Sequence, residues 1–351
     1  MKFFIYVCIF CAATTSVFSF NTYAKIPKNL LSTPNITTPI LQKVFLTRNF
    51  TTSVPQKLLS TANISTQIRR KRNCTIIVHS SVGRLGNTLF EFASAYGLSL
   101  KHSCRLYLGP RMIQEVSQYF DINVTDLLTE FQLKNISSIK QIDNHCTYFP
   151  ELLQPNKSQH VELTGYWQAQ KHFVSETESI RAQLRFRKGI LEPVKNFLQA
   201  NVSDNISQLV GVHIRRGDYV GQRNISSDQF IFDAMNYFQR KYNRTKFIFV
   251  SDDKKYCREK FSERNNTYFT PDSFDAAQDM ALLTLCHHVI ITVGTYGWWG
   301  AYLLQNKNGE VLVDSKPNHD PLDVNCLGSV FFPSWFKFLD RTQELFTAVV
   351  A

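Results

Sequence analysis

From Cys74 to Val313 the sequence alternates short apolar runs with segments of helical spacing, and this alternation narrows the fold more than any other feature. The runs stand at Thr75–His79, Arg105–Leu108, Val161–Thr164, Leu209–Ile214, Phe247–Val250, Val289–Val293 and Val311–Val313. Helical patterns lie between them over Leu89–Leu100, Glu176–Leu184, Gln229–Tyr242, Asp275–Cys286 and Trp298–Leu304. Gln229–Tyr242, for example, carries Phe230, Ala234, Tyr237 and Phe238 on one stripe. Alternation of this kind predicts parallel strands with helices on their faces. Leu209–Ile214 is almost wholly apolar, as a strand covered on both faces must be. The expected fold class is therefore α/β with two parallel sheets, divided near residues 186–207. A chain of 351 residues is long enough for two such domains. We place them at 74–200 and 201–351.

What precedes Cys74 is different. Phe3–Phe20 is an apolar stretch of 18 residues without charge, preceded by Lys2. That length is at the lower edge for crossing a bilayer. It reads either as a cleavable signal peptide, with Val17 and Ser19 before the cut, or as an uncleaved anchor over residues 1–20. The short leading tail and the long spacer that follows favour the anchor. Residues 21–73 are rich in Ser, Thr, Pro and Asn and read as a glycosylated stem. Twelve Asn-x-Ser/Thr sites, at Asn35, Asn49, Asn63, Asn73, Asn123, Asn135, Asn156, Asn201, Asn205, Asn224, Asn243 and Asn265, point to a lumenal chain. Six cysteines follow the apolar stretch, at Cys74, Cys104, Cys146, Cys257, Cys286 and Cys326; they permit up to three disulfides or a set of buried thiols. None has the CxxC spacing of a zinc site. The net charge of +11 suggests an anionic partner, and a lumenal setting argues against nucleic acid. Part of that charge is the Arg69–Arg72 quartet (RRKR), either a processing site that would release a soluble form or, preferably, a solvated basic patch.

Ligands of open parallel sheets bind beyond the carboxyl ends of the strands, so polar groups there are the candidates. Gly83-Arg84-Leu85-Gly86-Asn87 lies between the first strand and the helical pattern from Leu89; alone it is an ordinary turn that could also face an anion. His213-Ile214-Arg215-Arg216-Gly217-Asp218 ends the most apolar strand. Alternation puts His213 and Arg215 on one face and Arg216 on the other. Two guanidiniums with one nearby aspartate leave excess positive charge, suited to a diphosphate. Thr292–Trp299 passes from strand to helix through Gly294, Thr295 and Gly297, with Trp298 and Trp299 read as core. Asp252 and Asp253 could hold a cation bridging phosphates, but their position suits the start of the next helix better.

Four blocks together resemble the α-1,2-fucosyltransferases of glycosyltransferase family 11: GRLGNTLFEFASAYGL at Gly83–Leu98, LTGYWQ at Leu163–Gln168, GVHIRRGDYV at Gly211–Val220, and ALLTLCHHVIITVGTYGWWGAYL at Ala281–Leu303. The resemblance runs through most of residues 75–340. It implies a GT-B-like pair of Rossmann-type domains behind a signal-anchor and stem, with the donor mainly on the C-terminal domain. It implies transfer of fucose, with inversion and without a metal or other cofactor, from GDP-β-L-fucose to the 2-hydroxyl of a terminal galactose on glycoprotein or glycolipid glycans. It also implies a single-pass type II Golgi membrane protein with a lumenal catalytic domain. Arg215, Arg216 and Asp218 become the catalytic set, the arginines taking the GDP diphosphate, with His213 beside them. Arg84, Gly86 and Asn87 match the glycine-rich motif near the donor, Gly294 and Thr295 fall near the pyrophosphate, and Asp279 toward the nucleotide. No residue is assigned as catalytic base: Glu91 matches an acidic or amide position of the first block, but its helix could simply bury or solvate it, and the reaction needs little base help if the bond to GDP breaks early. Thr88 and Leu89 stand where the family often has Gln and Met, which bears on acceptor choice. Two other readings compete: a glycan-binding surface protein without catalysis, and a transferase of another GDP-sugar.

Overall fold

The apolar runs form parallel strands, and they do so in two sheets. The computed structural model describes residues 73–79, 83–143, 146–153, 158–202, 204, 207–222, 225–314, 328–340 and 344–347. Strands β1 (Cys74–Val78), β2 (Arg105–Leu108), β3 (Ile139–Asp143) and β4 (Gln159–Gly165) make an all-parallel sheet in the order β2-β1-β4-β3. Strands β5 (Gln208–Ile214), β6 (Thr245–Ser251), β7 (Thr267–Phe269), β8 (His288–Ile291), β9 (Val311–Asp314), β10 (Phe336–Leu339) and β11 (Leu345–Thr347) make the second, in the order β11-β10-β9-β8-β5-β6-β7. Only β11 runs antiparallel to its neighbour. The helices are α1 (Leu85–His102), α2 (Pro110–Ser117), α3 (Glu130–Leu133), α4 (Thr177–Gln183), α5 (Lys188–Asn201), α6 (Asp228–Lys241), α7 (Lys254–Phe261), α8 (Ala276–Leu285), α9 (Thr295–Tyr302) and α10 (Gly328–Phe331).

Each sheet has one place where the chain reverses its direction of growth. In the larger sheet it runs from β5 outward to β6 and β7, then returns to the other side of β5 as β8. In the smaller sheet it runs from β1 to β2, then crosses to β3 at the opposite edge and comes back to β4 beside β1. Such switch points open crevices at the carboxyl ends of the flanking strands. The segments that follow β1, β5 and β8 carry most of the candidate site residues, with His213 on β5 itself and Asp279 on α8.

One hydrophobic cluster draws on strands of both sheets and on helices α1, α8 and α9. Phe90 of α1 lies 4.5 Å from the Trp298 ring and 5.1 Å from Trp299, between ring centres. Both tryptophans are fully buried, the core role expected of them. Burying rings of this size contributes about 4–6 kcal/mol each as an upper estimate. Gly86 sits where α1 meets α9: a Cβ there would come within 2.8 Å of the Tyr296 backbone nitrogen. Residue 86 thus sets how closely two helix starts approach.

Several elements differ from the sequence-based expectation. Helix α1 starts at Leu85, so Gly86 and Asn87 belong to its first turn; α9 starts at Thr295, three residues before Trp298. In both, the polar first turn lacks apolar periodicity while its backbone is already helical. The division expected near residues 186–207 holds, since the first sheet ends with β4 and the second begins with β5; the segment between is largely α5, which packs on α8, with Phe197 5.7 Å from Phe274 in the turn before it. Strand β3 carries no apolar run, three of its five residues being exposed, and so gave no signal.

Cys74 and Cys104 form a disulfide across 30 residues, tying the start of β1 to the turn before β2. Closing a loop of that length stabilises by about 3–4 kcal/mol in the chain-entropy account. Cys146 is also disulfide-bonded. Cys257 and Cys286 are buried thiols. Asn73, Asn123, Asn135, Asn201, Asn243 and Asn265 are exposed. Asn35, Asn49, Asn63, Asn156, Asn205 and Asn224 lie outside the described residues, as do Phe3–Phe20, the stem up to Arg72 and Cys326. Among the described residues no helix is long and apolar enough to cross a membrane.

Candidate active site

A cavity of about 800 Å³ opens where the loops after β1, β5, β6 and β8 converge. Two helices begin on its wall, α1 at Leu85 and α9 at Thr295. Neither start is capped by a side chain, and neither first turn holds an acidic residue. Their free N–H groups and positive dipole ends suit an anion. Gly294, at φ 96°, makes the turn into α9, a conformation that a side chain would strain.

Arg215 is the cation at the centre. Its side chain is 10% exposed and lines the cavity. One terminal nitrogen pairs with Asp218 and the other with Asp252, while its backbone N–H donates to Thr292 Oγ1 at 2.8 Å. The guanidinium lies over the Tyr219 ring, 4.6 Å from its centre. Burial, and then the charge of Arg84, lower its pKa. Asp218 in turn accepts from Arg84 at 2.9 Å, across the cleft from the start of α1. Desolvation opposes ionisation of Asp218, but the Arg84 hydrogen bond and the Arg215 charge outweigh it and hold the carboxyl low. Asp218 is 54% exposed, so water screens this pair strongly.

Arg216 is not among the residues that line the cavity. Its guanidinium rests over the Tyr256 ring at 3.5 Å, and its Nε meets Asp253 at 3.4 Å. The strand alternation that separates it from His213 and Arg215 holds, with the consequence that only one of this adjacent pair of arginines lines the cavity. The two arginines also meet three aspartates where the sequence offered one, Asp218, Asp252 and Asp253. Asp252 and Asp253, expected only to open a helix, both meet arginines. Asp253 does cap α7, accepting from the Tyr256 N–H at 3.0 Å. Asp252 does more: one oxygen accepts from the Arg216 backbone N–H at 2.9 Å and the other pairs with Arg215. Arg84, Arg215 and Arg216 therefore face Asp218, Asp252 and Asp253, a balanced set.

His213 lines the cavity as a neutral ring. Burial, and then Arg215, push its pKa down to about 3. It packs beneath Gly297, where a Cβ would collide with Nδ1, and 5.3 Å from the Tyr296 ring. Asp279 reaches the cavity from α8 and pairs with Lys254 at 2.9 Å. Burial raises its pKa to about 6, more than Lys254 lowers it. Its second oxygen is buried without a hydrogen bond of good geometry among the described residues, the Thr270 hydroxyl being a further donor that bears on its charge. Asn87 and Thr295 meet at 2.9 Å, joining the starts of α1 and α9. Glu91 is buried on α1, has a partner of its own, and does not line the cavity.

The cavity wall thus gathers His213, Arg215, Arg84, Gly86, Asn87, Asp279, Gly294 and Thr295; Asp218 stands behind it, held by Arg84 and Arg215, and Arg216 is turned away. Sequence reading missed Lys254, Tyr219 and Tyr296 as wall residues, and Asp252 as the partner of Arg215. Asp252 had a signal, a carboxylate straight after a strand; nothing marked Lys254. Among the described residues no group of three His, Cys, Asp or Glu side chains is arranged to hold a metal.

Comparison with known proteins gives a consistent picture. The family model described as Glycosyl transferase family 11 matches residues 46–337. Galactoside alpha-(1,2)-fucosyltransferase 2 of Bos taurus is 27% identical over 271 residues, covering 73% of this chain and 77% of its own. Galactoside 2-alpha-L-fucosyltransferase SEC1 of Bos taurus is 30% identical over 236 residues, covering 63% of this chain and 62% of its own. A more distant likeness is the crystal structure of the fucosyltransferase NodZ from Bradyrhizobium, at 14% identity and a TM-score of 0.44, covering 64% of this chain and 91% of that one.

Proposed function

We propose, for a chain that belongs to glycosyl transferase family 11, that it is a galactoside α-1,2-fucosyltransferase working from GDP-β-L-fucose in a GT-B-like cleft between domains 74–200 and 201–351. The observation that carries this reading is Arg215, a buried guanidinium facing a cavity walled by two uncapped helix starts.

The bond from fucose C1 to the β-phosphate oxygen breaks, and its electron pair stays on GDP. The galactose 2-oxygen bonds C1 from the opposite face, giving inversion, and its proton passes to solvent. Negative charge grows on the departing diphosphate, so the cavity's task is to receive it. Arg215 does this with a fixed positive charge, supported by the N–H groups that open α1 and α9. In the resting site Asp218 bridges Arg215 and Arg84. An arriving diphosphate takes its place, and the exposed carboxylate swings toward water. Arg216 acts at one remove, fixing Asp253 and the backbone that Asp252 grips. His213 supplies a neutral wall. Asp279 offers its second oxygen to N–H donors of the base. No metal is needed, because Asp252 and Asp253 are already committed to arginines and backbone N–H groups. Glycans on the exposed sequons and attachment to the Golgi membrane through the N-terminal segment complete the reading.

The test is GDP release from GDP-fucose by the purified chain, with and without a terminal β-galactoside and with EDTA present. Galactoside-dependent release unaffected by EDTA is expected. GDP-mannose consumed in place of GDP-fucose would reassign the sugar. Glycan binding without nucleotide affinity by calorimetry would make the chain a lectin-like protein.

A further inference from the structure

Gln168 lies outside the cavity wall but touches a residue that forms it. It follows β4 in the smaller sheet, in the stretch LTGYWQ. Its Nε2 donates to Asn87 Oδ1 at 3.0 Å. Thr295, at the start of α9 in the other half of the structure, donates its hydroxyl to the same oxygen at 2.9 Å. A carbonyl oxygen has two lone pairs, and these two donors use both. In this arrangement the Asn87 amide turns Oδ1 to both donors; the opposite orientation would require Gln168 to turn its own amide and Thr295 to accept. The Asn87 Nδ2 turns to the far side, against Gly83, where a Cβ would collide with it. Asn87 lines the cavity, and among the described residues its Nδ2 has no hydrogen-bond partner. A carboxamide rotated by half a turn would offer an acceptor at the same place. For an anionic ligand the two orientations have opposite signs: N–H attracts, C=O repels.

We propose that Gln168 is a positioning residue: with Thr295 it locks the Asn87 carboxamide so that Nδ2, and not Oδ1, faces the bound nucleotide diphosphate. The inference rests on the reading of the cavity as a nucleotide-sugar site. It also limits the role of Thr295, whose hydroxyl proton is spent on Asn87. That side chain then serves the site through the amide, and its backbone N–H is the group left for phosphate. The three residues come from the ends of β1, β4 and β8, so the lock forms only when both sheets are in place.

Titration of the full chain with GDP by calorimetry tests this. Gln168→Met removes the donor without adding charge and frees the amide to sample both orientations; a loss of affinity of about 3-fold is expected. Gln168→Glu can only accept when ionised, draws Nδ2 toward itself and turns Oδ1 to the ligand; a loss of about 10-fold or more is expected. Both losses should vanish when the variants are made in an Asn87→Ala background, whereas a plain effect of the added charge or of looser packing would persist there. Losses that persist undiminished in that background, or wild-type affinity in both single variants, overturn the proposal. Should Gln168→Glu fail to fold, the Gln168→Met cycle decides the question in the same way. A wild-type chain that does not bind GDP overturns the reading of the cavity and this inference with it; wild-type binding with unaltered variants overturns this inference alone.

Discussion

The larger sheet carries an ion cluster at each end, and the two serve different tasks. At the amino edge, Glu310 precedes β9 and is 10% exposed. It accepts from Lys241 at 2.6 Å and Tyr237 at 3.1 Å, and pairs with Lys337. Burial works against its charge, but the lysine hydrogen bonds prevail and pull its pKa down to about 2. It has no part in the wall of the cavity. At the carboxyl edge, Arg215 is equally buried and equally surrounded, but Asp218, one of its two partners, is largely in water beside an open cavity. The same chemistry holds the fold together where no cavity opens beside the cluster. It becomes a site where one partner can be exchanged for a ligand.

The sharpest way to break this contrast is to remove each central charge. Arg215→Ala should lower kcat for GDP-fucose turnover by about 10²–10³-fold, since one preorganised cation at a departing charge contributes about 3–4 kcal/mol. Its melting temperature should move little in comparison. A variant that keeps turnover but melts early would place Arg215 with Glu310 as a structural charge.

Glu310→Gln should do the reverse, costing about 2–3 kcal/mol of stability, roughly 5–10 °C in Tm, with turnover per folded molecule unchanged. The sign with pH follows from the depressed carboxyl. Its contribution is complete above the ordinary value of 4.5 and is lost as pH falls toward 2. Acid titration of stability should therefore be flatter in Glu310→Gln than in the wild type between those limits.

Asp279 sharpens the comparison because its pKa shifts the other way, up to about 6. Keeping it charged at neutral pH costs stability, which suits a group held ready for a ligand and not one that holds the fold. GDP affinity should fall by about tenfold as pH drops from 7 to 5, through that pKa. Asp279→Asn should bind weakly at both and lose the pH dependence; an unaltered profile would remove Asp279 from the site.

The smallest effect belongs to Arg216. Arg216→Ala loses a stacked cation and a partly exposed ion pair, about 1 kcal/mol together, and should change the KM for GDP-fucose by less than about tenfold. An effect on kcat as large as that of Arg215→Ala would restore the pair of arginines that strand periodicity splits.

What the sequence by itself determined was the part written in local patterns. Apolar runs became parallel strands, because a strand covered on both faces must lack polar groups. Alternation assigned the faces of His213, Arg215 and Arg216, because a strand repeats every two residues. The tryptophans were legible as core by size and setting. Only the tertiary structure decided which charges meet. Asp252 and Asp218 lie 34 residues apart and close on one guanidinium because β5 and β6 are neighbours in register. Gln168, Asn87 and Thr295 meet because two switch points face each other, and no spacing in the chain encodes that. How many carboxylates meet Arg215 and Arg216 is likewise a property of which strands lie side by side.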